Sequence, residues 1–116
     1  MYIPPQDNPT PSELLAKPAL FELGTVVATG GFLHFFGDKA AAEVTGSALA
    51  LNYTRGNWGV LCDEDKALND AALDPAAPGR ILAKYEVQNK DMEKESVYVV
   101  TEWDRSSTTI MLTSEY

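Results

Sequence analysis

The stretch that decides the fold is Ser96-Val97-Tyr98-Val99-Val100-Thr101-Glu102-Trp103, then Asp104-Arg105-Ser106-Ser107, then Thr108-Thr109-Ile110-Met111-Leu112. Its two outer segments are rich in β-branched and aromatic residues, which suit a pleated, half-buried surface. The middle segment supplies turn chemistry, because Asp and Ser side chains bond nearby backbone groups. The stretch therefore predicts a strand from Ser96 to Trp103, a tight turn, and a second strand from Thr108 to Leu112. The unbroken Val97-Tyr98-Val99-Val100 run predicts a central strand buried on both faces.

Upstream, Arg80 to Gln88 alternates. Ile81, Ala83, Tyr85 and Val87 share one side, and Lys84, Glu86 and Gln88 the other, the period of a one-sided strand. Asn89 to Glu95 reads as an exposed charged connection. Before it, Asp63 reads as the cap of a helix with Glu64 and Asp65 in its first turn, where the helix dipole favours acids. Leu68, Ala71 and Ala72 form its expected buried side, and it ends at Asp74-Pro75. Asp38 after Gly37 predicts the cap of a longer helix from Lys39 to about Tyr53, with Val44, Ala48 and Leu51 on one face. Gly56-Asn57-Trp58-Gly59 breaks that helix in a tight bend that drives the indole inward. Phe21 to Thr29 reads as a first strand, broken by Gly30-Gly31. Phe32-Leu33-His34-Phe35-Phe36 reads as a helical turn packed on the sheet.

Residues 1–18 hold five of the seven prolines, Pro4, Pro5, Pro9, Pro11 and Pro18. Each removes a backbone donor and disfavours helix before it. Residues 1–20 thus form a Pro-rich arm, with one helical turn capped by Ser12, and residues 21–116 a single domain. The element order predicts an α+β fold: an N-terminal strand, two to three helices, then a three-stranded antiparallel meander with the helices on one face.

Composition narrows the function. The 116 residues carry 17 acidic and nine basic side chains, a net charge of −8. Nucleic-acid binders need a basic face, because phosphate contacts dominate affinity, so a polyanionic partner is disfavoured. No apolar run approaches the roughly 20 residues of a membrane helix. The N-terminus lacks the basic start and apolar run of a signal peptide, so a cytoplasmic protein is expected. The single cysteine, Cys62, can form no internal disulfide. Its acidic neighbours Asp63, Glu64 and Asp65 oppose a thiolate, which argues against a nucleophile. His34 is the only histidine and no cysteine pair exists, so no metal site is expected. No phosphate-cradling loop is present: Thr29-Gly30-Gly31 lacks the following Lys-Ser or Lys-Thr. No cofactor is expected.

Three segments together carry a family resemblance: Gly56-Asn57-Trp58-Gly59 with Glu64-Asp65 and Asn69; Arg80-Ile81-Leu82-Ala83-Lys84-Tyr85; and Thr101-Glu102-Trp103-Asp104-Arg105-Ser106-Ser107-Thr108-Thr109 running to Glu115-Tyr116. They resemble a family of small proteins coded on plasmids, integrative elements and phages, some of whose members are called toxins of a type I toxin–antitoxin system. The element order is also similar to the compact ribonuclease toxins of the RelE and barnase type. Family members usually carry a His before a Gly-Asp-Trp-Gly segment. Here Tyr53 holds that place and Asn57 replaces the Asp.

Two readings follow, with a third beside them. In the first, the chain is a non-catalytic binding or regulatory module of a mobile element that engages a host protein, as an inhibitor of a host factor would. Its surface would be the acidic helix, with Asp63, Glu64, Asp65 and Asp70, or aromatic surface including Trp58. An ordinary solvated helix face explains the same acids. In the second, the chain is an RNA-cleaving toxin whose chemistry gathers Arg105, Asp104, Glu102, Ser106, Thr108 and Thr109 at the hairpin end, near Tyr53 or His34. Such an enzyme needs a cation for the phosphate and a proton-transfer pair. A Tyr of ordinary pKa, about 10, serves poorly as acid or base at neutral pH. The plain alternative makes Asp104 a turn residue and puts Arg105 in an ion pair. The third reading is a homo-oligomer that exchanges its Pro-rich arm.

Overall fold

The computed structural model describes residues 10–116. Met1 to Pro9, with Pro4, Pro5 and Pro9 of the Pro-rich arm, lie outside the described residues. The described residues form four helices and a four-stranded mixed sheet. In order these are α1 (Pro11–Leu15), β1 (Thr25–Ala28), α2 (Gly30–Phe36), α3 (Lys39–Thr54), α4 (Asp63–Ala72), β2 (Ile81–Gln88), β3 (Lys94–Thr101), β4 (Ser107–Leu112) and a closing 3₁₀ turn, Thr113–Glu115. The strands lie side by side as β1-β4-β3-β2. β2 pairs antiparallel with β3, and β3 with β4, while β1 joins β4 in parallel. The sheet is therefore mixed and four-stranded, wider than the expected antiparallel meander. The first strand spans four residues rather than nine, because Gly24 and the cap at Thr29 bound it.

Period-2 alternation sets the two faces. Ile81, Ala83, Tyr85 and Val87 are buried, opposite Val97, Val99 and Thr101 and beside Thr108 and Ile110. This face meets Phe32 and Phe36 of α2 and Ala42, Leu49 and Tyr53 of α3 in one core. Each large apolar side chain so buried contributes about 1.5–3 kcal/mol. On the opposite face, Tyr116 packs edge-on against Tyr98, with ring centroids 5.2 Å apart, and the Arg80 guanidinium lies 5.5 Å from the Tyr116 ring.

Helix ends follow local chemistry. Asp38 caps α3 as expected, accepting from Ala40 N–H at 2.9 Å. Thr29 caps α2 through Phe32 N–H, so Gly30-Gly31 opens a helix rather than merely ending a strand. Thr10, not Ser12, caps α1, with Pro11 at the first helical position. Asp63 is the first residue of α4 rather than its cap; Cys62 occupies the cap position without a side-chain bond. The α1 segment packs on α3: Leu14 is buried, and Arg55 Nε donates to the Leu14 and Lys17 carbonyls, both at 3.2 Å.

Two inward-facing assignments and one strand end change. In α3 the buried side is Ala42, Thr45, Leu49, Asn52 and Tyr53, and Val44 is exposed. In α4 Leu68 is exposed and the polar Asn69 is buried with Ala72. Trp103 is 61% exposed in the turn, not part of the strand, which ends at Thr101. Hydropathy alone ranked Val44 and Leu68 above Asn52 and Asn69, but the hydrogen bonds those two amides make inside offset the cost of taking them out of water.

Candidate functional site

The hairpin end is where the sequence gathered candidate chemistry. Arg105 sits there with φ +61, a left-handed conformation uncommon outside glycine. Its guanidinium bonds backbone carbonyls: Nη1 to Gly79 at 2.6 Å and Nη2 to Ala72 at 2.8 Å, with longer Nη1 contacts to Glu102 and Trp103. The Ala72 carbonyl lies at the C-terminal end of α4, where the helix dipole attracts a cation. The same group stands 5.7 Å from the Phe21 ring. Arg105 makes no ion pair among the described residues. It closes the hairpin turn onto α4 and the following loop.

Asp104 is fully exposed and accepts from Ser106 N–H at 3.0 Å. Hydrogen bonds from Ser106 hold its carboxyl below the usual carboxylate range. It performs the turn role expected of Asp at such a place. Glu102 and Ser106 are exposed beside it, while Thr108 is buried.

Tyr53 lies inside the protein with no exposure. Its ring packs edge-on against Phe21 and Trp58, at 5.0 and 5.9 Å between centroids. Its single hydroxyl proton is shared between two acceptors, Thr101 Oγ1 at 2.8 Å and the Ile81 carbonyl at 3.0 Å. Thr108 donates to the Leu23 carbonyl at 2.7 Å, so Thr101 must donate to Thr108 across their 2.7 Å contact. The chain of hydroxyls Tyr53, Thr101, Thr108 thus ties α3, β3 and β4 to the segment leading into β1. Burial pushes the Tyr53 phenol well above its ordinary value; the Thr101 hydrogen bond and the Arg105 charge only partly oppose that. Tyr53→Phe keeps the ring packing but leaves the Ile81 carbonyl short of a donor. It should cost about 1–2 kcal/mol, read as a lower urea midpoint with an unchanged slope.

His34 is exposed on α2, in a shallow groove with Leu33, Gly37, Asp38, Lys39 and Glu43. That groove is at the N-terminal end of α3 and Tyr53 is at the other end. Fourteen residues of helix from Lys39 to Tyr53 separate them by roughly 20 Å. The structure thus brings Arg105, Phe21, Tyr53 and Thr108 into one neighbourhood and leaves His34 apart.

The other candidates divide similarly. Asp63, Glu64 and Asp65 are exposed along the first turn of α4. Trp58 is buried, and its indole N–H donates to Asp70 at 2.9 Å. Gly56 and Gly59 take φ of +84 and +77, which lets Asn57 turn back. Asn57 then donates to Asn52 Oδ1 at 2.8 Å and accepts from Gly59 N–H at 3.2 Å. Asn69 bonds both backbone groups of Leu82, at 2.8 and 3.1 Å, standing in for a neighbouring strand. Cys62 is exposed. Among the described residues no three His, Cys, Asp or Glu side chains gather as a metal site, and no helix is long and apolar enough to cross a membrane.

Sequence reading passed over Glu115, which ties the C-terminus to the start of α2. Its carboxylate accepts from Thr29 Oγ1 at 2.6 Å, Leu112 N–H at 2.9 Å and Gly31 N–H at 3.3 Å. These bonds, the Thr29 hydroxyl foremost, lower its pKa from the ordinary 4.5. A carboxyl depressed on folding stabilises above its unfolded pKa and loses that contribution as pH falls through the folded one. The C-terminal turn should therefore loosen below pH 4.5. Amide NMR of Gly31 and Leu112 against pH would show it, and Glu115→Gln should abolish the titration.

Comparison with protein-family models, with curated proteins and with solved structures gives no match.

Proposed function

We propose that the protein is a non-catalytic binding module of a mobile element that acts on a host protein. The observation that carries this reading is where the candidate catalytic groups spend their polar atoms. Arg105 is committed to backbone carbonyls, Tyr53 to a buried hydroxyl chain, and Asp104 to its own turn. A phosphate-binding cation and a proton-transfer pair with free access to substrate are what a ribonuclease would need. The net charge of −8 weighs in the same direction, since it repels RNA at long range. The mobile-element setting rests on the three segments quoted above. Their Gly59, Asn69 and Arg105 have clear folding roles.

The exposed acids Asp63, Glu64 and Asp65 are the charged surface offered to a basic partner. Affinity capture from host lysate compares the parent with a variant carrying Asp63→Asn, Glu64→Gln and Asp65→Asn. One protein held by the parent, released by salt and not held by the variant supports the reading, because exposed charge pairs are screened beyond about 10 Å at 0.1 M salt. Identical capture by both removes the acidic helix from it. Multiple-turnover cleavage of total RNA by the purified parent overturns it in favour of the toxin.

A further inference from the structure

The two edges of the sheet are treated unequally. The outer edge of β2 is filled at Leu82 and Lys84 by the chain itself. Asn69 takes both backbone groups of Leu82; Lys84 N–H donates to the Trp58 carbonyl and Val60 N–H to the Lys84 carbonyl, at 3.3 and 2.7 Å. Among the described residues the outer edge of β1 is bare. Thr25 and Thr29 send their N–H groups inward, to Ser106 and Ile110. Alternation then points the backbone groups of Val26 and Ala28 outward. Among the described residues nothing bonds them.

Natural edges are blunted by charge, Pro or a bulge. Residues 24–33 contain no charged residue and no Pro. Val26 and Val27 are 47% and 48% exposed. Val26 and Ala28 continue into a mainly apolar groove of about 360 Å³ with Phe32, Leu33 and Ile110, where Glu43 of α3 is the one charged lining residue.

We propose that this edge is the interface of a homodimer in which β1 pairs antiparallel with β1 of a second copy. The strand is complementary to itself about Val27. A two-fold axis there sets Val26 opposite Ala28 of the other copy, and Ala28 opposite Val26, so all four outward backbone groups of each copy find partners. Val27 then faces its own counterpart in the closely spaced, non-hydrogen-bonded position. Charge selects the same surface. Two copies of net charge −8 repel, and an edge without charges is where they approach at least cost. The outer edges of the resulting eight-stranded sheet are the β2 edges, which the chain itself occupies at Leu82 and Lys84 and which carry the charged Lys84 and Glu86, so further growth is disfavoured.

The test is the mass of the full chain by light scattering and sedimentation, up to about 100 µM, a range suited to a small interface. The expected mass is twice 12.6 kDa. Val27→Lys and Val27→Glu, both at an exposed side chain, should each raise the dimer dissociation constant about 10-fold by setting like charges opposite one another. An equimolar mixture of the two should restore dimers. Val26→Pro, which removes an outward N–H and leaves the β4 ladder intact, should also give monomers. A parent that stays monomeric overturns the proposal and leaves the edge to a strand of another protein. Variants that dimerise as tightly as the parent overturn the location, and a mixture that stays monomeric overturns the pairing about Val27.

Discussion

Replacing Gly59 with Ala should destabilise the protein by on the order of 3 kcal/mol, enough to lower Tm by about 10–15 °C. Two effects combine. At φ +77 any L side chain is strained, which costs about 1–2 kcal/mol. A Cβ there would also overlap the Lys84 carbonyl oxygen and press on the Tyr85 ring. That carbonyl cannot move aside, because it accepts from Val60 N–H at 2.7 Å. Relief requires parting the 57–60 segment from β2, with loss of the two bonds at Lys84, each worth about 0.5–1.5 kcal/mol. Gly37 is the control. Its φ is +65, but a Cβ there meets nothing within 4 Å, so Gly37→Ala should show only the backbone cost of about 1–2 kcal/mol. Equal urea midpoints for the two variants would show that contact with β2 contributes nothing at Gly59.

Arg105→Ala should cost a similar amount, about 3 kcal/mol, through loss of the charged bonds to Gly79 and Ala72. Each such bond is worth about 1.5–3 kcal/mol, and the lower end applies because the group is only half buried. Lys should not rescue it, since a single ammonium cannot span carbonyls the planar fork reaches together. Arg105→Gly should be more stable than Arg105→Ala by up to about 1 kcal/mol, because φ +61 suits glycine. The order Arg above Gly above Ala in chemical denaturation is the expected result. An Arg105→Ala protein as stable as the parent would return the guanidinium to the list of groups free to bind a phosphate.

Both predictions concern residues whose identity is dictated by a distant backbone contact, and Asn69 is a third such residue. Gly59 must lack a side chain to lie on β2, Asn69 must be an amide to bond both groups of Leu82, and Arg105 must be a fork to hold two carbonyls. Those residue identities follow from folding requirements at three long-range contacts.

Local signals were legible wherever the deciding forces were local. The alternation from Ile81 to Val87 set one face of β2, Asp38 set the start of α3, and Asp104 set its own turn, each through neighbours within a few residues. The sequence by itself thus determined most of the element types, an excess of acidic side chains, and a chain without an internal disulfide. Only the tertiary structure decided that β1 runs parallel beside β4, that Asn69 goes inward where Leu68 does not, and that Tyr53 closes a hydroxyl chain to Thr101 and Thr108. The physical reason is common to all three. Each depends on a hydrogen-bond partner 13 to 85 residues away. Hydropathy and period describe how a residue meets water, and carry no record of which distant backbone group will meet it instead.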